Sequence, residues 1–94
     1  MANPVNVVKV YSTTYCAHCM RAKWLLKKRE IPFEEIDVTN DDATRAWLVK
    51  VSGGRRTVPV IMVGDEVIGG SEELHRLDAR GELLKKVRGD EAAQ

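Results

Sequence analysis

The sequence predicts an α/β domain in which helices flank a central, mixed β-sheet of four strands. Three observations support this class. Strand and helix patterns alternate in the order β-α-β-α-β-β-α, a Cys-x-x-Cys motif lies between the first strand and the first helix, and the apolar share of 44% suffices for a core without disulfide cross-links. For 94 residues we expect one domain, over residues 1–88, and a flexible C-terminal tail at residues 89–94.

The first half of the chain has a βαβα pattern. Residues 5–11 are rich in β-branched side chains and alternate in polarity, which predicts a strand. Strong helix formers fill residues 17–30, with a proline just beyond as a stop signal. Residues 33–38 alternate as a second strand. Residues 39–42 then offer a cap and first-turn acids for a helix that we expect to run to about residue 52, where two glycines follow.

The second half predicts a hairpin and a final helix. Residues 58–63 and 66–68 are expected to pair around a Gly-Asp turn. Ser71 is expected to cap a helix that ends at residue 79, and residues 82–87 would extend it.

The only two cysteines, Cys16 and Cys19, are three residues apart, which is typical of a redox dithiol. Cys16 would begin the first helix, where unsatisfied N–H groups and the helix dipole favour a thiolate, so we assign it as the nucleophile. Cys19 shares a helical arc with apolar residues, points towards the core and is assigned as the resolving thiol. A protonated His18 would favour the thiolate further and make the disulfide more oxidising; the alternative is an exposed loop histidine with little effect.

Composition gives less support to other functions. A structural zinc site needs four ligands, and beyond the cysteines the chain offers only His18 and His75, so we expect no metal. A net charge of +1 does not indicate a nucleic-acid surface, and the cationic residues 21–29 are typical of a solvated helix face. The N-terminal residues do not resemble a signal peptide. We therefore expect a cytoplasmic monomer without membrane association.

Three segments resemble the glutaredoxin family, which has the thioredoxin-like fold. They are YSTTYCAHC at residues 11–19, TVP at 57–59 and GGSE at 69–72, and they look like the active-site, cis-proline and glutathione-binding motifs of that family. The similarity runs over residues 7–84. Residues 53–59 also resemble the mycoredoxin branch of actinobacteria, so a dithiol glutaredoxin and that branch both stay open.

The resemblance implies a thiol-disulfide oxidoreductase that takes part in electron transport and cell redox homeostasis. It would reduce protein disulfides or glutathione-mixed disulfides of S-thiolated proteins. No tightly bound cofactor is implied, and glutathione or another low-molecular-weight thiol would be the cosubstrate. Two alternatives remain: an electron donor recharged directly by a flavoprotein reductase, and a non-enzymatic dimeric carrier that holds an iron–sulfur cluster with Cys16 and external thiols.

The resemblance also assigns residues that bind substrate. Thr57, Val58 and Pro59 would form the cis-proline segment, whose backbone pairs with an extended substrate; the alternative is a proline that only opens a strand. Tyr15 would line the cleft or pack against the loop. Thr13 stands where the family usually has a lysine that contacts glutathione. Loss of that exposed cation would weaken binding by about 0.5 to 1 kcal/mol.

The GGSE segment has a second implied role. The N–H groups at Gly70 and Ser71 would receive the α-carboxylate of a γ-glutamyl group, and Glu72 would meet its ammonium. Arg56 would hold the glycyl carboxylate at the other end of the tripeptide, or point into solvent. The family usually has a proline after the nucleophile, where this chain has Ala17.

The tryptophans and the second histidine suggest three further placements. Trp24 lies away from the Cys19 arc, so it is expected to be exposed to a partner or covered by a neighbouring loop. Trp47 repeats at helical spacing with Ala43 and Val51 and is expected to pack in the core. His75 is expected to face solvent.

Overall fold

Strands and helices follow each other in the predicted order. The computed structural model describes residues 6–14 and 16–88. The elements are β1 (Val8–Ser12), α1 (Ala17–Lys28), β2 (Phe33–Asp37), α2 (Asp42–Val51), β3 (Val60–Val63), β4 (Glu66–Gly69), α3 (Ser71–Ala79) and α4 (Leu83–Arg88). Within these residues, no helix has both the length and the apolar character needed to cross a membrane. The tail expected at residues 89–94 lies outside the described residues.

The four strands form one mixed sheet in the order β2-β1-β3-β4. Strand β1 runs parallel to β2 and antiparallel to β3, which in turn is antiparallel to β4. The register pairs Tyr11 near the end of β1 with Val60 at the start of β3, and Ile61 with Gly69 at the end of β4. The loops after β1, before β3 and after β4 therefore meet at one edge of the sheet. This edge holds the Cys-x-x-Cys, TVP and GGSE segments.

Alternation along β1 and β3 divides the core between the two faces of the sheet. On one face, Val8, Val10, Ile61 and Val63 pack with α1, α3 and α4. The larger cluster is completed by Ala22, Leu25, Leu26, Ile31, Leu74, Leu83 and Val87. On the other face a smaller cluster contains Tyr11, Val38, Leu48, Val60 and Met62. Helix α1 lies on the face of the sheet that carries the larger cluster. Because Cys19 shares the apolar arc of this helix, it is directed into the core.

Two details of the last helices differ from the prediction. Gly70, not Ser71, is the N-cap of α3, and its backbone N–H donates to the Glu73 side chain at 2.8 Å. A glutamate three residues after the cap supplies this acceptor, which is why the helix begins one residue earlier than expected. Residues 82–87 do not extend α3, because Gly81 adopts a φ of 74° and closes it with a left-handed turn. Helix α4 follows as a separate element.

The prediction that Trp47 packs in the core is wrong, since its side chain is 43% exposed. The ring packs against Tyr11 with the ring centroids 5.9 Å apart. Helix α2 packs on the face of the sheet that carries the smaller cluster, and Leu48 is its only buried residue. Ala43 and Val51 are exposed.

The prediction that His75 faces solvent is also wrong. The residue is half-buried, and its Nε2 atom is buried without a hydrogen-bond partner among the described residues. Helix α3 packs against α1, α4 and the strands β3 and β4, so several neighbouring elements cover it.

Candidate active site

Cys16 is the N-cap of α1 and has an extended backbone with φ −149° and ψ 105°. Its Sγ atom accepts a hydrogen bond from the Cys19 backbone N–H at 3.1 Å. As a thiol it also donates to the Val58 carbonyl oxygen, 3.7 Å away. Oxygen-bearing side chains usually fill the N-cap position because they accept N–H groups of the first turn. Here a sulfur makes that contact, and the half-buried Cys16 keeps part of its surface accessible.

The loop before Cys16 is tied to the end of β2. The Thr14 N–H donates to Thr39 Oγ1 at 2.9 Å, and Thr39 Oγ1 donates to Asp37 Oδ1 at 2.6 Å. The Thr39 hydroxyl and its backbone N–H both bond Asp37 and lower the pKa of that carboxyl group. The loop that presents Cys16 is therefore held by two adjacent strands.

Cys19 lies behind Cys16 and is only 2% exposed. Burial, supported by the hydrogen bond with Cys16, raises the pKa of Cys19 to about 12. A hydrogen bond with the Thr13 backbone and the charge of Lys23 act in the opposite direction but do not prevail. Both cysteines are free thiols in this structure, and Cys19 is protonated at neutral pH.

A groove of about 300 Å³ adjoins Cys16 at the same edge of the sheet. It is lined by His18, Arg21, Arg55, Thr57, Val58, Pro59, Gly70, Ser71, Glu72 and Glu73. The Val58–Pro59 peptide bond is cis, and the Val58 carbonyl is the group that contacts Cys16 Sγ. A ligand in the groove would therefore lie against Val58, whose carbonyl oxygen contacts the Cys16 sulfur.

The groove contains one ion pair, between Arg55 Nη2 and Glu73 Oε2 at 3.1 Å. The pKa of Glu73 is lowered, first by the Gly70 N–H bond and also by the charge of Arg55. Because Glu73 already binds the Gly70 N–H, that group is not free for a ligand. Gly70 has no side chain to cap the first turn of α3, so the next N–H groups remain available.

Two polar side chains at the start of α3 complete the groove. Ser71 Oγ is buried and has no hydrogen-bond partner within the described part of the chain. Glu72 is exposed and meets Arg76 one turn along α3, at 3.6 Å.

Most of the predicted site residues come together in the groove, and some do not. His18, Thr57, Val58, Pro59, Gly70, Ser71 and Glu72 line it. Arg56 instead lines a smaller hollow on the α2 side, with Arg45 and Leu48. Thr13 contacts Cys19 through its backbone, and Tyr15 lies outside the described residues. In residues 6–14 and 16–88, no three His, Cys, Asp or Glu side chains form a group that could hold a metal ion.

Three groove residues were missed from the sequence: Arg21, Arg55 and Glu73. Arg21 belongs to the cationic residues 21–29, which were interpreted as a solvated helix face. The spacing of Gly70 and Glu73 is that of a capping box and would have indicated Glu73. No local pattern distinguishes Arg55 from the adjacent Arg56, because the choice depends on which way the loop turns.

Comparison with known proteins identifies the family. The glutaredoxin family model matches residues 8–68. The chain belongs to the glutaredoxin family. As a glutaredoxin it is a thiol-disulfide oxidoreductase with the thioredoxin-like fold, as predicted.

Among curated relatives, this glutaredoxin is 42% identical over 76 residues to a probable glutaredoxin of Synechocystis sp., covering 81% of this chain and 70% of the relative. It is 41% identical over 76 residues to glutaredoxin 3 of Escherichia coli strain K12, covering 81% and 90%. Among solved structures, a buckwheat glutaredoxin–glutathione complex superposes with a TM-score of 0.81 at 30% identity, covering 87% and 76%. The holo form of glutaredoxin C1 from Populus tremula x tremuloides has a TM-score of 0.80 at 31% identity, covering 99% and 84%.

Proposed function

We propose that this glutaredoxin is a cytoplasmic, monomeric dithiol enzyme, with one domain over residues 1–88, that reduces protein disulfides and glutathione-mixed disulfides. Glutathione or a related low-molecular-weight thiol recharges it. The observation that supports the proposal most is the contrast between its thiols: Cys16 is only partly buried and contacts Val58 of the groove, whereas Cys19 is buried with a pKa of about 12.

Cys16 acts as the nucleophile. Its thiolate attacks one sulfur of the substrate disulfide, a new bond to Cys16 forms, and the other sulfur leaves as a thiolate. The Cys19 N–H, 3.1 Å from Cys16 Sγ, stabilises negative charge on this sulfur. Cys19 keeps its proton at neutral pH and does not compete in the first attack.

Cys19 acts as the resolving thiol. Once Cys16 is in a mixed disulfide, its negative charge is gone, and one cause of the high pKa of Cys19 is removed. Cys19 then gives up its proton and attacks Cys16 Sγ, which forms the Cys16–Cys19 disulfide and releases the substrate as a thiolate. Two molecules of glutathione reduce this disulfide and leave as glutathione disulfide.

When the mixed disulfide joins Cys16 to glutathione itself, a second glutathione can resolve it without Cys19. That reaction yields glutathione disulfide and restores the Cys16 thiolate.

The groove is proposed to hold the glutathionyl part of the mixed disulfide. The γ-glutamyl carboxylate would meet the free N–H groups at the start of α3 and the unpaired Ser71 Oγ, and Glu72 would meet the ammonium. Val58 would pair with the peptide backbone next to the sulfur. Arg55, which faces the groove, is a better candidate than Arg56 for the glycyl carboxylate. The buckwheat relative was solved as a glutathione complex, which supports this use of the groove.

A recycling assay tests the proposal. The protein is supplied with a disulfide substrate and NADPH, either with glutathione and glutathione reductase or with thioredoxin reductase alone. We expect NADPH consumption only in the first system, and none with the Cys16→Ser variant in either. Turnover with thioredoxin reductase alone would show that a flavoprotein recharges the dithiol directly and that the groove serves another ligand.

A further inference from the structure

Helix α1 exposes two large apolar side chains next to the dithiol. Met20 is 67% exposed and Trp24 is 58% exposed. They are four residues apart, so they are neighbours on one face of the helix. Lys27 and Lys28 lie on the same face, and Lys28 Nζ is 4.9 Å from the centroid of the Trp24 ring. We refer to Met20, Trp24, Lys27 and Lys28 as the α1 surface.

The charge of the α1 surface is entirely positive. Residues 17–28 include no acidic side chain. Two neighbouring cations are already paired, Lys23 with Glu35 at 2.8 Å and Arg29 with Asp78 at 2.8 Å. Lys27 and Lys28 form no ion pair with any described residue. The charge of Lys28 contributes to the lowered pKa of Asp78, and both lysines can still attract an acidic partner. Exposed tryptophan and methionine side chains are typical of a protein-binding surface. The lysines beside them favour a partner with acidic residues.

The α1 surface begins one helical turn from the nucleophile. The Met20 N–H donates to the Cys16 carbonyl oxygen at 3.1 Å, and Trp24 follows one turn later. Trp24 lies eight residues after Cys16, which corresponds to a rise of about 12 Å along the helix. An extended peptide covers that distance with roughly four residues. Neither Met20 nor Trp24 lines the groove, so a tripeptide held there does not occupy them.

We propose that the α1 surface docks protein substrates that carry an acidic segment with a large apolar side chain about four residues from the reactive cysteine. The inference rests on the proposed function, because it concerns the protein whose disulfide or glutathione-mixed disulfide Cys16 attacks. The lysines attract the acidic segment, and Met20 and Trp24 pack against the apolar side chain. Small disulfides use only the groove. The surface thus separates protein substrates from small ones without altering the chemistry at Cys16.

Two glutathionylated peptides test the preference. Both contain one cysteine and a leucine four residues away on each side; the acidic peptide has glutamates beside each leucine, and the basic peptide has lysines there. The small substrate is the mixed disulfide of glutathione and 2-mercaptoethanol. The test variants are Trp24→Ala and the double variant Lys27→Gln/Lys28→Gln. Lys50→Gln is the matched control, because Lys50 is an exposed lysine in the last turn of α2.

We expect the unaltered protein to favour the acidic peptide over the basic one by about tenfold in kcat/KM at low salt, and less at high salt. Each test variant should lower kcat/KM for the acidic peptide by about threefold or more. Its kcat/KM for the small substrate should stay within about twofold of the value for the unaltered protein. Lys50→Gln should behave like the unaltered protein. Equal kcat/KM for the two peptides, or a variant that slows the small substrate as much as the acidic peptide, would overturn the docking role. Failure of the unaltered protein to turn over the small substrate would instead overturn the proposed function.

Fluorescence gives a second readout that does not depend on turnover. The chain has two tryptophans, so Trp47→Phe leaves Trp24 as the only one. In a Cys19→Ser/Trp47→Phe protein, the stable mixed disulfide between Cys16 and the acidic peptide should shift Trp24 emission to the blue, as the ring leaves water. The mixed disulfide with the small substrate should leave the emission unchanged. Identical spectra for the two adducts would contradict docking on Trp24.

Discussion

Replacing Arg55 by alanine should raise the KM for glutathione and change kcat much less. Arg55 lines the groove, and one of its guanidinium nitrogens, Nη2, forms an ion pair with Glu73 at 3.1 Å. A guanidinium has five N–H donors, so the others are left for a ligand carboxylate. A carboxylate contact of this kind is equally present in the ground state and the transition state, because it is remote from the reacting sulfurs. Its removal therefore acts on binding.

The magnitude follows from the exposure of the pair. The side chains of Arg55 and Glu73 are 31% and 35% exposed, so their ion pair contributes about 0.5 kcal/mol or less to the stability of the fold. A charged hydrogen bond from Arg55 to a ligand at this partly exposed position contributes about 1 to 1.4 kcal/mol. We therefore expect an increase of about five- to tenfold in KM, with little change in the melting temperature.

The assay is the glutathione reductase-coupled turnover, measured over a range of glutathione concentrations. Arg56→Ala is the matched control and should change KM by less than about twofold. The KM of Arg55→Lys should lie between the values for Arg55→Ala and Arg56→Ala, because lysine retains the charge and lacks the planar set of guanidinium donors. An unchanged KM in Arg55→Ala, or an equal effect of Arg56→Ala, would refute the assignment of Arg55 to the glycyl carboxylate.

Three further predictions concern the dithiol and its surroundings. With iodoacetamide at neutral pH, Cys16 should be alkylated and Cys19 should not, because a pKa of about 12 keeps Cys19 protonated until the pH approaches that value. Peptide mass mapping identifies the alkylated residue, and alkylation of Cys19 before Cys16 would contradict the prediction. Thr13→Lys should lower the KM for glutathione several-fold at low salt and less at high salt, and a constant KM at low salt would show that the ligand does not lie across Thr13. His18→Tyr should slow the alkylation of Cys16 near neutral pH and make the disulfide less oxidising in glutathione redox buffers. The reason is that an imidazole can bear a positive charge that favours the thiolate, and a tyrosine cannot; identical pH profiles would leave His18 without a tuning role.

Sequence patterns predicted the elements that depend on local signals. Helix α1 spans Ala17–Lys28 within the predicted range, because helix formers and a following proline mark its limits. Cys19 was expected to point inwards, and it is buried in the core. The fold class was also predicted correctly, since the order of strands and helices restricts the sheet to few topologies.

The errors concern contacts between elements that are distant in the sequence. The exposure of Trp47 depends on how much of α2 the sheet covers. The burial of His75 Nε2 depends on how the neighbouring elements pack around α3. The choice between Arg55 and Arg56 depends on the path of the loop before Thr57. Helical periodicity records which residues share a face, but it does not record what covers that face.

The division of labour between the two thiols is the central claim, and deglutathionylation by the single-cysteine variants tests it most directly. The substrate is the mixed disulfide of glutathione and 2-mercaptoethanol, with glutathione present to resolve the intermediate. The account predicts that Cys16→Ser has no activity and that Cys19→Ser retains activity, because the mixed disulfide at Cys16 is resolved by glutathione when Cys19 is absent. Mass spectrometry of Cys19→Ser should find the glutathione adduct on Cys16. Comparable activity in Cys16→Ser, or an inactive Cys19→Ser protein that is folded, would contradict the account.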